Sequence, residues 1–269
     1  MTPFVARRER FDTVGSTNDV VRAWLADATP EVCLAVAGEQ TGGRGRDGRR
    51  WIAPPGAGLL LSLGFRPTWL APDHVWRLAA VASLAMADAA ECLADLPTGS
   101  VQLKWPNDLV ILTGAPTDVR KVAGLLGETD GLGTADPRVV IGLGINADWA
   151  AGDFPPDLAG SMTSLRAVAC GRRIDRESLL VAFLERLESG VTALRAGRFD
   201  GDGWAERQST TGRTIRVERP GRVETVRALG VDPVSGALIV EDTATSGERH
   251  VLVGEITHVR FAESIAEPV

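Results

Sequence analysis

Apolar residues recur at two spacings along the chain, and each spacing predicts its own element. Ser16-Thr17-Asn18-Asp19 is capping chemistry followed by Val20, Val21, Trp24 and Leu25 at helical spacing, which predicts a helix over residues 17–27. Asp73 to Leu96, alanine-rich with Val75, Leu78, Val81, Leu84 and Met86, predicts a long buried helix. Another begins at Asp175 and gathers Leu179, Leu180, Phe183, Leu184, Leu187, Val191 and Leu194 on one face. Short apolar or alternating runs predict strands at Val32 to Ala37, Leu59 to Phe65, Val101 to Trp105, Lys121 to Glu128 and Arg138 to Asn146.

After Gln208 the texture changes. Thr214 to Val217, Val223 to Val231, Ala237 to Glu241, Arg249 to Val253 and Glu255 to Val259 read as short strands separated by Pro220-Gly221, Asp232-Pro233, Ser235-Gly236 and Ser246-Gly247. With no helix long enough to cover an open sheet, these five strands predict a small barrel. The reading is therefore α+β, with one domain over 1–208, a second over 209–262 and a loose tail over 263–269.

Composition narrows the picture. A chain of 269 residues with 44% apolar and 24% charged residues is an ordinary globular one. Its net charge of −6 argues against binding nucleic acid through a global positive field, though a local basic patch stays open. The longest charge-free apolar run in a helical pattern, Leu78 to Ala87, is ten residues. That is about half of the ~20 needed to span a membrane, so no membrane partner is expected. Cys33, Cys92 and Cys170 are odd in number and form no CxxC pair, which predicts neither disulfides nor zinc and fits a reducing cytoplasm.

Only Lys104 and Lys121 among the 29 basic residues are lysine. An ammonium is a compact point charge that sits on a phosphate or carboxylate oxygen as a planar guanidinium cannot, although two lysines surviving a composition bias would look the same. Gly42 to Arg50 holds four glycines and four arginines in nine positions, which suits an anion clasp. Ordering nine residues costs roughly 10–20 kcal/mol, while each charge-assisted bond returns about 1.5–3 kcal/mol. The loop is thus expected to be mobile when empty and to close over an anion. A solvated basic loop and a nucleic-acid hook are the alternatives. Gly142-Leu143-Gly144-Ile145-Asn146-Ala147 formally matches a dinucleotide fingerprint, but no helix follows, and a strand with room for a flat ligand is the better reading. Asn107-Asp108 after Pro106 is ordinary turn chemistry or, with Lys104, a corner for a magnesium-bound phosphate.

Together and in this order, these segments resemble the biotin protein ligase family. The matching stretches are Ser16-Thr17-Asn18, Gln40 to Trp51, Lys104 to Asp108, Arg120 to Leu126 and Ile141 to Asn146. The resemblance implies a mixed-sheet catalytic core of the class II aminoacyl-tRNA synthetase/biotin ligase type, followed by a small SH3-like β-barrel. It implies ATP-dependent formation of biotinyl-5′-AMP and transfer of biotin to a lysine of a biotin carboxyl carrier domain of acetyl-CoA or acyl-CoA carboxylase. ATP and biotin are then substrates, with Mg2+. On the family's pattern Lys121, Arg46 and Asp108 are catalytic, and Ser16, Thr17, Asn18, Gln40, Arg44, Gly45, Arg46, Lys121 and Gly142 surround biotin. Arg46, Arg49, Trp51, Lys104, Asn107, Asp108, Lys121 and Asn146 serve ATP, and Asp108 takes the metal. A monomer or weak homodimer is expected.

Two departures stand out: Asp47 puts an acid into the cationic loop, and residues 113–119 make a longer turn before Lys121. Fifteen residues precede Ser16, too few for a winged helix-turn-helix domain, so neither DNA binding nor repression is expected. A lipoate or octanoate ligase is the rival within the superfamily, and a nucleic-acid-binding module with no ATP turnover is the rival outside it.

Overall fold

The computed structural model describes residues 3–113, 118–242 and 247–262. Seven strands form a mixed sheet in the order β1-β2-β3-β7-β6-β5-β4. They are β1 (Arg7–Val14), β2 (Cys33–Gln40), β3 (Gly58–Phe65), β4 (Val101–Lys104), β5 (Asp108–Leu112), β6 (Val119–Asp130) and β7 (Arg138–Asn146). The helices are α1 (Thr17–Ala26), α2 (Trp76–Ala94), α3 (Pro156–Ala159), α4 (Leu165–Val168), α5 (Arg176–Arg195) and α6 (Gly201–Glu206). A separate antiparallel sheet contains β8 (Thr214–Arg219), β9 (Arg222–Val231), β10 (Leu238–Asp242), β11 (Gly247–Val251) and β12 (His258–Phe261), in the order β11-β10-β9-β8-β12. This is the α+β arrangement read from the sequence, and the second sheet stands where the small barrel was expected.

Alternation assigns the two faces of the large sheet. Leu34 and Val36 of β2, Leu59, Leu61 and Leu63 of β3, and Ile141, Leu143 and Ile145 of β7 share one core with α2 and α5. Cys33, Ala35 and Val140 project the other way, into a smaller cluster with Val21, Trp24 and Leu25 of α1. The approach of α1 requires glycine at 64, where a Cβ would come within 2.5 Å of Cys33 Sγ and 2.7 Å of Val21. Helix α1 covers only that end of its face.

The strands β1 and β5 and the short helices α3, α4 and α6 were not foreseen. β1 carries charge at most positions and buries almost nothing, so its pattern has no apolar face. It runs parallel to β2, and Arg8 and Arg10 are tied to Glu177 of α5. β5 resumes directly after Pro106-Asn107, making the predicted turn the tip of a β4–β5 hairpin. The short α6 buries Trp204. The tail from 263 and residues 114–117 of the longer turn lie outside the described residues.

The chain between the sheets is itself paired. Leu103 N–H donates to Arg207 O at 2.9 Å and Ser209 N–H to Leu103 O at 2.7 Å. Trp105 Nε1 donates to Gly236 O at 3.0 Å, fixing the β4 tip to the second sheet. Among the described residues no helix is long and apolar enough to cross a membrane.

Candidate active site

The uncovered part of the α1 side of the sheet is the floor of a cavity of about 750 Å³. Its lining brings together Ser16, Thr17, Asn18, Gln40, Arg44, Gly45, Arg46, Arg49, Trp51, Lys104, Asn107, Asp108, Lys121 and Gly142 from five separate stretches of sequence. Asn146 is the exception among the predicted site residues. It is fully buried, donates from Nδ2 to Thr163 O at 2.9 Å, and leaves its Oδ1 without a partner.

One end of the cavity is polar and built on the start of α1. Gln40 Oε1 accepts from Thr17 N–H at 2.7 Å and from Thr17 Oγ1 at 3.1 Å. With that oxygen occupied, the Gln40 amide has its N–H groups to offer. Ser62 Oγ lies 2.7 Å from Thr17 Oγ1 and 2.6 Å from Asn18 Oδ1. Asn18 Nδ2 donates to Glu128 at 2.6 Å. At Gly142 a Cβ would fall 2.2 Å from Asn18 Oδ1, so only glycine lets the carboxamide lie on that strand. Ser62 and Glu128 were not among the predicted residues. A lone serine within the apolar run Leu59 to Phe65 was the available signal.

The middle of the floor is glycine. Gly124 of β6 and Gly144 of β7 are register partners, and the Trp51 ring lies across both. A Cβ at Gly144 would be 2.6 Å from the ring, and one at Gly124 would be 3.3 Å from it. The Trp51 Nε1 is buried without a partner.

The other end is the lysine corner. Lys121 Nζ is 2.6 Å from Asp108 Oδ1, and Lys104 Nζ is 3.8 Å from Asp108 Oδ2. Lys121 reaches this side because β6 is bulged. Lys121 opposes Val110 while Ala123 opposes Leu109, so Val122 is an extra residue that returns Lys121 to the face of Gly124. Burial holds the Lys104 ammonium below the ordinary lysine range, with Asp108 opposing that shift. Asn107 Nδ2 is committed to Leu125 O at 2.7 Å. With both Asp108 oxygens facing ammonium groups, a divalent cation placed there would meet two positive charges. Among the described residues no cluster of three metal-ligating side chains exists. These residues do not fit a magnesium ion held by the protein itself.

The arginine loop closes the cavity from above and is held at both ends. Arg44 donates to Asp19 at 2.8 and 2.6 Å, and this guanidinium holds the Asp19 carboxyl below the usual carboxylate range. Arg46 donates to Val253 O at 3.1 Å and Ile256 O at 2.9 Å, and Arg49 to Thr257 O at 3.3 Å, all in the second sheet's region. Asp47 sits 3.8 Å from Arg49. The loop is thus engaged with the protein itself, by contacts that the loop's composition alone did not reveal. Arg260 and Phe261 of β12 also line the cavity, and Lys104 Nζ lies 5.3 Å over the Phe261 ring. Nothing in the local sequence of β12 signalled that.

Residues 11–146 match the Biotin/lipoate A/B protein ligase family. The chain is similar to the biotin--[acetyl-CoA-carboxylase] ligase of Mycobacterium tuberculosis, at 33% identity over 91% of this chain and 86% of that one. It is also similar to the biotin--[acetyl-CoA-carboxylase] ligase of Paracoccus denitrificans, at 35% identity over 82% and 88% of the two chains. Among solved structures, the fold resembles a biotin protein ligase from Aquifex aeolicus in complex with biotin and ATP, with TM-score 0.76 and 23% identity over 95% and 99% of the two chains.

Proposed function

The chain belongs to the Biotin/lipoate A/B protein ligase family, and on that premise we propose that it is a biotin protein ligase. It activates biotin with ATP to biotinyl-5′-AMP and passes the biotinyl group to a lysine of a carboxylase carrier domain. The observation that carries this reading is Lys121, whose Nζ joins the Asp108–Lys104 corner to the edge of the glycine floor within the cavity.

The chemistry accounts for that arrangement. In the first step a carboxylate oxygen attacks the α-phosphorus and pyrophosphate leaves. Two unit charges at 4 Å repel by about 4 kcal/mol at an effective dielectric of 20, and a point charge between them removes that barrier. Lys121 serves as that charge, with Lys104 supporting the phosphate side. Gln40, Thr17 and Asn18 suit a urea-like head with both donors and acceptors. The Trp51 ring suits a flat base, whereas Asn146 is buried outside the cavity lining and is assigned no contact to that base. Magnesium on this reading arrives with the nucleotide. In the second step the neutral acceptor amine attacks the carbonyl and AMP leaves. Asp108 is the nearby group able to take the amine's proton once Lys121 has turned to substrate. Arg44, Gly45, Arg46 and Arg49 belong to the loop that keeps water from the mixed anhydride. We assign this core to residues 1–208 and the second unit to 209–262, and three unpaired cysteines suit a reducing cytoplasm.

Biotin-dependent ATP–pyrophosphate exchange is the test. The wild-type chain is expected to exchange with biotin and not with lipoate, and Lys121→Arg to lose most of it although charge is kept. Absence of exchange in the wild type, or exchange driven by lipoate, overturns the reading.

A further inference from the structure

Away from the cavity lies a buried ion pair that the proposed chemistry does not use. Glu91 of α2 is 5% exposed and meets Arg207, the residue that follows α6. Both side chains close on one residue of β4. Glu91 accepts from Val101 N–H at 2.8 Å, and Arg207 Nε donates to Val101 O at 2.9 Å. Arg207 also reaches Asp88, one turn back along α2. Farther along β4, Leu103 N–H donates to Arg207 O at 2.9 Å and Ser209 N–H donates to Leu103 O at 2.7 Å. Trp105 N–H then donates to Thr210 Oγ1 at 3.0 Å. Residues 207–210 thus run along the outer edge of β4 as a further strand would, and the fully buried Thr210 hydroxyl takes the place of its next carbonyl.

We propose that Arg207 and Thr210 are positioning residues that set the register of β4 and thereby place Lys104 in the cavity. The consequence for nucleotide binding rests on the proposed function, whereas the register lock is a property of the ligand-free protein.

Two consequences of the geometry carry the proposal. Val101, Leu103 and Trp105 are buried in the core, while Lys104 between them lines the cavity. A slip of one residue would turn Lys104 into the core and an apolar side chain toward the phosphates. Yet β4 is four residues long, stands last in the sheet order, and meets β5 over those four positions alone. So short a ladder specifies register weakly, and the outer edge supplies what is missing. Lys104 pairs with Asp108 on the inner side, and the residues on either side of it are held by 207–210 on the outer side. A buried ion pair is a poor source of stability and a good source of register, and this one grips both backbone groups of Val101.

The ligand-free protein tests the lock without reference to activity. Lys104 and Lys121 are the two lysines of the chain, so isotope labelling of lysine gives one NMR methylene signal for each, assigned with Lys104→Met. Lys104 Nζ lies 5.3 Å over the Phe261 ring, and the ring current marks its position. In Thr210→Val, which leaves the Trp105 N–H without its acceptor, the Lys104 signal is expected to move toward that of an exposed lysine while Lys121 stays. Thr210→Ser should return it. An unmoved Lys104 signal in Thr210→Val overturns the proposal. In biotin-dependent ATP–pyrophosphate exchange, Thr210→Val is expected to raise the KM for ATP about tenfold, with the KM for biotin within about twofold and recovery in Thr210→Ser. Glu91→Gln combined with Arg207→Met removes both charges and keeps an acceptor for Val101 N–H. That pair is expected to melt near the wild-type temperature and to raise the KM for ATP about fivefold. An unchanged KM for ATP, or an equal loss for both substrates that Thr210→Ser does not repair, would mark these residues as structural and overturn the assignment. A wild-type chain that shows no exchange, yet whose Lys104 signal responds to Thr210→Val, supports the register lock and strikes the proposed function instead.

Discussion

The two faces of β7 are made from alternate residues of one strand and have opposite jobs. Ile141, Leu143 and Ile145 are buried against α2 and α5, while Gly142 and Gly144 lie under Asn18 and Trp51. On the first face side-chain volume holds the sheet to its helices. On the second the missing side chain is what matters, because each glycine leaves a place where a flat group reaches the backbone. Stability and recognition are thereby separated within nine residues, and substitutions on adjacent positions should fail in different ways.

Gly144→Val gives the largest expected effect. Its Cβ would be 2.6 Å from the Trp51 ring, so the ring must leave the floor. A displacement of that size costs about a hundredfold in rate when it disturbs reacting geometry. The expected outcome is biotin-dependent exchange reduced at least that far with an unfolding midpoint near wild type. Gly144→Ala should be intermediate. A variant that keeps full exchange would show that Trp51 is not part of the reaction surface.

One residue on, Ile145→Ala should do the reverse. Ile145 is fully buried in the core, and removing its branched side chain is expected to cost about 2–5 kcal/mol of folding free energy. Denaturant unfolding measures that cost. Exchange activity per folded molecule should stay within a fewfold of wild type. If stability and activity fell in proportion in both variants, the division between the faces would not hold.

The smallest effect concerns the corner at the edge of the open face. The Lys104 pKa is depressed by burial, so below its folded value both folded and unfolded chains carry the proton and the charged group's burial cost is present in full. As pH rises through the folded value the native state releases the proton first, and stability from this group increases. An incoming phosphate should draw the pKa back up. Nucleotide binding at alkaline pH is then expected to take up a proton, detectable by calorimetry in buffers of different ionisation enthalpy. Lys104→Met should abolish the uptake, and identical uptake in that variant would assign the proton elsewhere.

Much of this was legible in the chain. Helical spacing found α1, α2 and α5, short apolar runs found β2 and β3, which are buried along most of their length, and alternation found β4, β6 and β7. β1 escaped because an edge strand of arginines and glutamates buries no face and has no period to read. β5 escaped because Pro106-Asn107 hid a hairpin tip inside a turn signal. At the site, residue types chosen for charge or for lack of a side chain announced themselves: two lysines, a glycine and arginine loop, spaced glycines. Ser62 and Glu128 did not, since their roles are to hold other site residues. Arg260 and Phe261 lie far along the chain from the other lining residues.

The sequence by itself determined which groups are available and which strands and helices carry them, since local spacing and side-chain chemistry act over a few residues. Tertiary structure alone decided which groups meet. Strict alternation would put Lys121 with Ala123 and Leu125 on the helix-covered face, and one extra residue at Val122 sends it to the opposite side, toward Asp108. The same is true of Arg46 and Arg49, whose donors find carbonyls of residues 253–257. A side chain's period is written in its neighbours, but its face and its partners depend on register and on segments hundreds of residues away, which only the folded chain brings within hydrogen-bond distance.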